Sequence, residues 1–136
     1  MTDNKNKGTG RKKRVLVVDD ERDFLEIVKL NLEKTEKYDV MTLEEAKDIC
    51  AQAQDFKPDI ILLDNLMPGL DGMETCKILG RDPIWKSIPI IMLSALTGRF
   101  EKLYAEKLGA VDYLTKPIDK DTLVSKIEET LRAKEG

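Results

Sequence analysis

Five polar side chains each follow closely on a short apolar run. Asp19 and Asp20 follow Val15-Leu16-Val17-Val18, Asp64 follows Ile60-Ile61-Leu62-Leu63, Ser94 follows the run ending at Leu93, and Lys116 comes shortly after Val111 to Leu114. If those runs lie side by side, three carboxylates, one hydroxyl and one ammonium meet. Carboxylates packed together repel, and each tends to take up a proton unless a cation compensates. An all-oxygen donor set of high negative charge suits Mg²⁺, which takes few carboxylates and keeps waters and substrate phosphate as its other ligands. A carboxylate is also a nucleophile toward phosphorus, giving an acyl phosphate. The cluster reads as a Mg²⁺ site poised to receive a phosphoryl group, with the metal, Lys116 and Ser94 supplying position and charge neutralisation.

Taken singly, each residue has a plainer role. Asp20 fits a helix N-cap, and so does Asp71, which has Glu74 three residues on. Ser94 alone says nothing, and a lone Lys116 is most often a solvated surface charge. The signal is the joint placement at the ends of successive apolar runs.

Those runs need a scaffold. Val15 to Val18 is apolar throughout, as expected of a strand covered on both faces. Phe24, Ile27, Val28 and Leu32 follow at helical spacing. Asp39 to Leu43 is a weaker strand, and Thr42 with Glu45 forms a capping-box spacing that predicts a second helix burying Ala46, Ile49, Cys50 and Ala53. The third strand runs from Asp59 to Leu63, followed by a loop from Asn65 to Gly72 that holds Pro68 and two Gly, and a third helix through Met73, Cys76 and Leu79. The fourth strand is Pro89 to Leu93. A fourth helix carries Phe100, Leu103, Tyr104 and Leu108 and stops at Gly109. Val111 to Leu114 is the fifth strand, and the last helix, from about Asp119, buries Leu123, Ile127 and Leu131. Strands alternating with helices call for right-handed crossovers and a parallel sheet covered on both faces. In such α/β sheets ligands bind at the carboxyl ends of the strands, near a topological switch point. That is where the five polar residues fall.

Composition narrows the functions. The chain has 136 residues, 41% hydrophobic and 36% charged, a size for one domain with a real core. The net charge is −3, a poor basis for binding nucleic acid, whose phosphates need a basic face. The absence of His excludes a Ser-His-Asp triad, a His-rich metal site and a phosphoryl carrier of the His type. Cys50 and Cys76 lack metal-ligand spacing and make no disulfide framework, which favours a reduced, cytoplasmic setting. No apolar run is long enough to span a membrane, and MTDNKNKGTGRKK has no apolar leader. Residues 1–13 read as a flexible basic tail and 14–134 as one domain.

The segments RVLVVDDE (Arg14 to Glu21), IILLDNLMPGLDG (Ile60 to Gly72), IPIIMLSA (Ile88 to Ala95) and GAVDYLTKPI (Gly109 to Ile118), in this order, resemble the receiver domain of bacterial two-component response regulators. The chemotaxis regulator is the minimal example of that family. The resemblance spans about residues 14–134. It implies a flavodoxin-like, doubly wound α/β fold with five parallel strands in the order 2-1-3-4-5 and five helices. It implies Asp64 as phosphoacceptor. Asp20, Asp64 and the backbone carbonyl of Leu66 would ligate Mg²⁺ directly, and Asp19 through a water. Lys116 would pair with phosphoryl oxygens, Ser94 would be the switch hydroxyl and Tyr113 the switch aromatic. Ala95 would leave room for the phosphoryl group, and the Lys116–Pro117 peptide would be cis.

The function so implied is phosphorylation-dependent signalling. The donor would be a phospho-His on a sensor histidine kinase or a His phosphotransfer protein, and the output face would be helix four, strand five and helix five. Such a domain promotes only its own phosphorylation and dephosphorylation and is not a turnover enzyme. No direct contact with nucleic acid or membrane is expected. The last helix lacks the Arg-rich ending of regulators that pair through a winged-helix output domain. The chain stops after that helix, which fits either a stand-alone regulator or part of a longer protein. The alternative is a degenerate receiver, an interaction module that works without phosphorylation; such domains usually lack an acidic or Lys position, and here all are present. A phosphatase of the haloacid-dehalogenase type wants a second acid two residues after the first, where this chain has Leu66. No G-x-x-x-x-G-K-[ST] loop is present.

Overall fold

The structure is a computed structural model and describes residues 11–65, 72–96 and 98–135. Among these the strands are β1 (Lys13–Val18), β2 (Tyr38–Leu43), β3 (Ile60–Asp64), β4 (Ile90–Ser94) and β5 (Asp112–Thr115). The helices are α1 (Arg22–Glu33), α2 (Ile49–Ala53), α3 (Gly72–Arg81), α4 (Arg99–Lys107) and α5 (Lys120–Glu135), with a short 3-10 turn at Trp85–Ser87. The sheet is parallel in the order β2-β1-β3-β4-β5, as expected from the alternation and the resemblance. The Lys116–Pro117 peptide is cis. Leu66, Asp71 and residues 1–10 lie outside the described residues.

Alternation along the strands divides the core in two. Leu16, Val18, Ile61, Leu63 and Met92 face α2, α3, α4 and the 3-10 turn. Val15, Val17, Ile60, Leu62 and Leu93 face α1 and α5. Each large apolar side chain so buried contributes about 1.5–3 kcal/mol relative to exposure. β1 and β3 are covered on both faces, so they are the segments least able to shift. They are also the strands that lead into Asp19 and Asp64.

Several expectations are corrected. In α1 the buried stripe is Leu25, Val28 and Leu32, while Ile27 is 58% exposed and Phe24 is only partly buried. The helix is rotated because Leu25, not Ile27, falls in phase with Val28 and Leu32. Thr42 does not cap α2. It lies in β2 opposite Val17, and α2 begins only at Ile49, after Asp48 in the left-handed region at φ 56°. Ladder pairing with β1 outweighs a cap whose helix is only five residues long. Ala46 is buried ahead of that helix, and Cys50 is half-buried. Strands three, four and five each begin and end one residue later than read from the apolar runs. The 3-10 turn was not foreseen; the Asp82 carboxylate accepts the Ile84 and Trp85 N–H groups and winds it. α5 does start after Asp119, whose carboxylate accepts the Thr122 N–H. The Thr122 hydroxyl first, and then this N–H, hold the Asp119 carboxyl below its ordinary range.

Candidate functional site

Register brings the polar residues together. Val18 lies opposite Leu63, so the next residues, Asp19 and Asp64, leave neighbouring strands at the same level. Asp64 lies opposite Leu93, and Ser94 opposite Thr115, one residue before Lys116. β1 and β3 are also where the sheet order reverses, the switch point at which such sheets bind ligands.

The Asp19 carboxylate is fully buried and doubly held. One oxygen accepts the Glu21 N–H at 2.8 Å, and the other accepts the Lys116 ammonium at 2.5 Å. Lys116 Nζ also lies 3.2 Å from Glu21 Oε1 and 3.7 Å from Asp64 Oδ1. The Phe24 ring sits beneath it, 4.4 Å from Nζ to the centroid, so the ammonium has an aromatic face as well as acids around it. Burial acts to lower the Lys116 pKa, but its hydrogen bonds and charge attraction to Asp19, Asp64 and Glu21 outweigh burial and raise it above the ordinary value. Lys116 is therefore a permanent cation at the rim of an acidic cluster.

Asp19, Asp20 and Asp64 each offer one oxygen, and the three oxygens lie within 4.8 Å of one another. Asp19 and Asp64 are buried, while Asp20 is exposed at the mouth. One ammonium leaves three of the four negative charges of Asp19, Asp20, Asp64 and Glu21 uncompensated. A hard divalent cation offsets most of that excess, and the all-oxygen, partly open donor set fits Mg²⁺, which keeps several waters. The third ligand implied by resemblance, Leu66, lies outside the described residues.

Ser94 is fully buried at the end of β4, and its Oγ accepts the Leu96 N–H at 3.0 Å. The Tyr113 hydroxyl donates to the carbonyl of the same residue, Leu96, at 3.1 Å. The Tyr113 ring is 7% exposed and packs in the core between the sheet and α4, so it already points inward. One backbone residue thus carries both the Ser94 and the Tyr113 bonds.

On the other side of Asp64, Gly72 opens α3. Its N–H donates to the Asn65 carbonyl at 2.9 Å. A Cβ at Gly72 would lie 2.2 Å from the Asp64 carbonyl oxygen and 2.7 Å from Asn65 Cα, so only glycine lets the helix close against the end of β3. Sequence reasoning had placed Asp19, Asp20, Asp64, Ser94, Lys116 and Tyr113 here but had given no part to Glu21, Phe24 or Gly72. Glu21 and Phe24 reach Lys116 across the fold, a contact that no local spacing reveals.

Comparison with known proteins agrees with this geometry. The family model of the response regulator receiver domain matches residues 15–128. The chain is 38% identical over 123 residues to the alkaline phosphatase synthesis transcriptional regulatory protein PhoP of Bacillus subtilis, covering 90% of this chain and 50% of PhoP. It is 39% identical over 121 residues to the response regulator PleD of Caulobacter vibrioides, covering 89% of this chain and 26% of PleD. The chain therefore spans half or less of these relatives. The solved chemotaxis protein CheY4 of Vibrio cholerae superposes with a TM-score of 0.81 at 29% identity, covering 88% of this chain and 98% of that one. With the fold, the strand order and the family model in agreement, the chain belongs to the receiver domains of two-component response regulators.

Proposed function

We propose that Asp64 accepts a phosphoryl group from a phospho-His of a partner histidine kinase or phosphotransfer protein. The observation that carries this reading is the Lys116 ammonium in contact with both Asp19 and Asp64, with Asp20 alongside, at the switch point of the sheet. An Asp64 carboxylate oxygen would attack phosphorus, the P–N bond to imidazole would break, and the imidazole nitrogen would leave with the electron pair and be protonated. Lys116 would stabilise charge on the phosphoryl oxygens. A bound Mg²⁺, held by Asp19, Asp20 and Asp64, would supply further positive charge to those oxygens. The donor's landing surface would be the groove of about 530 Å³ between α1 and α5, which opens from Lys116 and is lined by Phe24, Ile27, Val28, Leu123 and Val124. This gives exposed Ile27 a use that the core does not. Ile27→Asp should slow transfer from a phospho-His donor severalfold yet leave acetyl phosphate labelling unchanged; equal rates with both donors would remove the groove from the reading.

The response would pass through Leu96. For the Ser94 hydroxyl to turn toward a phosphoryl group on Asp64, it must release the Leu96 N–H, and the Tyr113 bond to the Leu96 carbonyl is disturbed with it. A phosphoryl group biases the conformation by exactly such differential contacts with the two states. The surface that would change, α4-β5-α5, already exposes Phe100, Leu103 and Tyr104, none of which the core uses. Leu96 itself is partly exposed and presents no polar side-chain atom. An attacking water would find nothing there to orient it, and water positioning is a main lever in hydrolysis of a phosphorylated site. Leu96→Glu should shorten the life of the phosphorylated protein severalfold; decay at the wild-type rate or slower would show that the side chain does not act on the water.

Intact-mass measurement after incubation with acetyl phosphate tests the core reading. The expected result is one phosphoryl group, dependent on Mg²⁺, abolished by a chelator and mapped to Asp64. A gain that ignores the chelator or maps elsewhere would overturn it.

A further inference from the structure

A second charged site lies at the opposite end of β4 from the acidic cluster. A half-open cavity of about 320 Å³ lies between the last turns of α3, the 3-10 turn and the connection from α4 to β5. Its apolar floor includes Leu79, Ile88, Ile90 and Leu108, and Trp85 forms part of its wall. Four cations line it, Lys77, Arg81, Lys86 and Lys107, and no carboxylate does. The chain carries 26 acids against 23 bases, so a lining with four bases and no acid runs against its overall balance.

These four cations contrast with the ion-paired ones, although other described cations, such as Lys34, Lys47 and Lys102, likewise have no carboxylate at ion-pair distance. Among the described residues, Arg11, Lys13, Arg22, Lys29, Lys37, Lys116 and Lys126 each have a carboxylate within ion-pair distance. Lys77, Arg81, Lys86 and Lys107 have none among the described residues. Helix macrodipoles explain part of this, since cations are favoured near helix C-termini. That accounts for Arg81 in the last turn of α3 and Lys107 in the last turn of α4. It does not account for Lys86 on the 3-10 turn, for Lys77 a turn earlier, or for a cavity among them. Guanidinium and ammonium groups together are the donor set that proteins use for phosphate oxygens.

We propose that this cavity binds a small phosphate-bearing anion, with the four cations holding the phosphoryl groups. A volume near the lower end of the usual ligand range, about 300–1,000 Å³, limits it to a ligand of roughly mononucleotide size. The site is separate from phosphotransfer. α3 runs from Gly72, against the Asp64 backbone, to Arg81 at this cavity, so ten residues of helix, about 15 Å, separate the two.

Trp85 is the only tryptophan in the chain and forms part of this cavity's wall, so a ligand bound here should alter its emission; its other side faces a second groove toward Cys50 and Ile84, and the Arg81 and Lys107 variants distinguish the two. The experiment titrates the protein with inorganic tripolyphosphate and, separately, with ATP, both with a chelator present to keep divalent cations from the acidic cluster. The expected result is a saturable change in Trp85 emission that weakens as salt is raised. It should weaken at least tenfold in Arg81→Glu/Lys107→Glu, with the neutral pair Arg81→Gln/Lys107→Gln as a milder second variant. Acetyl phosphate labelling of Asp64 should be unchanged in both variants, which also verifies that they fold. Tighter binding of ATP identifies a phosphate ester as the ligand class, and equal binding identifies inorganic polyphosphate; either supports the proposal. No saturable change with either probe, a change that survives both variants, or tighter binding of a polyglutamate peptide than of both probes would overturn it.

Discussion

Lys116→Ala should cost the metal-free protein about 3 kcal/mol of stability, the lower part of the range for breaking a buried ion pair from one side. The reason is Asp19. Its carboxylate has no exposure to solvent, and Lys116 is the cation in contact with it. Removing the ammonium leaves that charge beside Asp64, with the Glu21 N–H as the remaining partner of its side chain among the described residues. Urea unfolding in the presence of a chelator measures the loss. Saturating Mg²⁺ should restore part of it in proportion to occupancy, by about 2.7 kcal/mol at one hundred times the dissociation constant. Phosphorylation by acetyl phosphate should slow by about 10²–10³, the usual effect of deleting one preorganised electrostatic contact to a transition state. Because the Lys116 pKa is raised in the folded protein, its contribution is fully present below the unfolded value of about 10.4 and is lost as pH rises through the folded value. The gap between wild type and variant should thus be flat across neutral pH and close only in the alkaline range. A stability loss below about 1 kcal/mol, the level of an exposed pair, would show that Lys116 does not hold the cluster together.

Gly72→Ala and Gly98→Ala should separate sharply, although each new methyl group starts from a severe overlap. At Gly72 the obstacles are the Asp64 carbonyl oxygen at 2.2 Å and Asn65 Cα at 2.7 Å, both backbone atoms of the most buried part of the sheet. Relief requires α3 to move away or the end of β3 to bend. Overpacking of this kind costs about 1–3 kcal/mol or more. Gly72→Ala should sit at the top of that range and also impair Asp64 labelling, because the strain falls on the acceptor's own peptide. At Gly98 the obstacle is the Glu101 carboxylate at 1.8 Å, the far end of a flexible side chain near the surface. It can swing aside, and Gly98 has φ −65° and ψ 139°, which alanine adopts freely. Gly98→Ala should cost under about 1 kcal/mol, mainly as a poorer N-cap. Chemical denaturation with parallel labelling decides the matter; equal losses at the two positions would show that the α3 contact is not the constraint described.

The sheet and most of the site were legible because one physical cause governs both. Strands covered on two faces must be apolar throughout, so the first polar residue after each run marks the strand end, where a parallel sheet puts its ligands. Asp19, Asp64 and Ser94 were found that way. What could not be read depends on competition or on distant contacts. Thr42 and Glu45 have the spacing of a cap, but Thr42 is held by pairing with β1. Ile27 and Leu25 are both apolar, and Leu25, in phase with Val28 and Leu32, is the one that packs into the core while Ile27 stays exposed. Tyr113 is named by the resemblance as the switch aromatic, and that its ring is buried, with its hydroxyl on the Leu96 carbonyl, depends on contacts no local spacing shows. Glu21 and Phe24 join the site by way of Lys116, more than ninety positions along the chain from either.

β5 borders open space, and this bears on what could attach there. The free side of a border strand offers unpaired N–H and C=O groups to any extended chain nearby, the usual route to strand addition and aggregation. Here that side is short and carries charge. β5 has four residues, and the Asp112 carboxylate accepts the N–H of Tyr113 at 2.8 Å. The same carboxylate pairs with Lys126 of α5 at 3.0 Å, so this border strand carries an anchored charge, a feature that discourages strand addition. A strand this short and charged favours recognition through the side chains of the flanking helices over extension of the sheet.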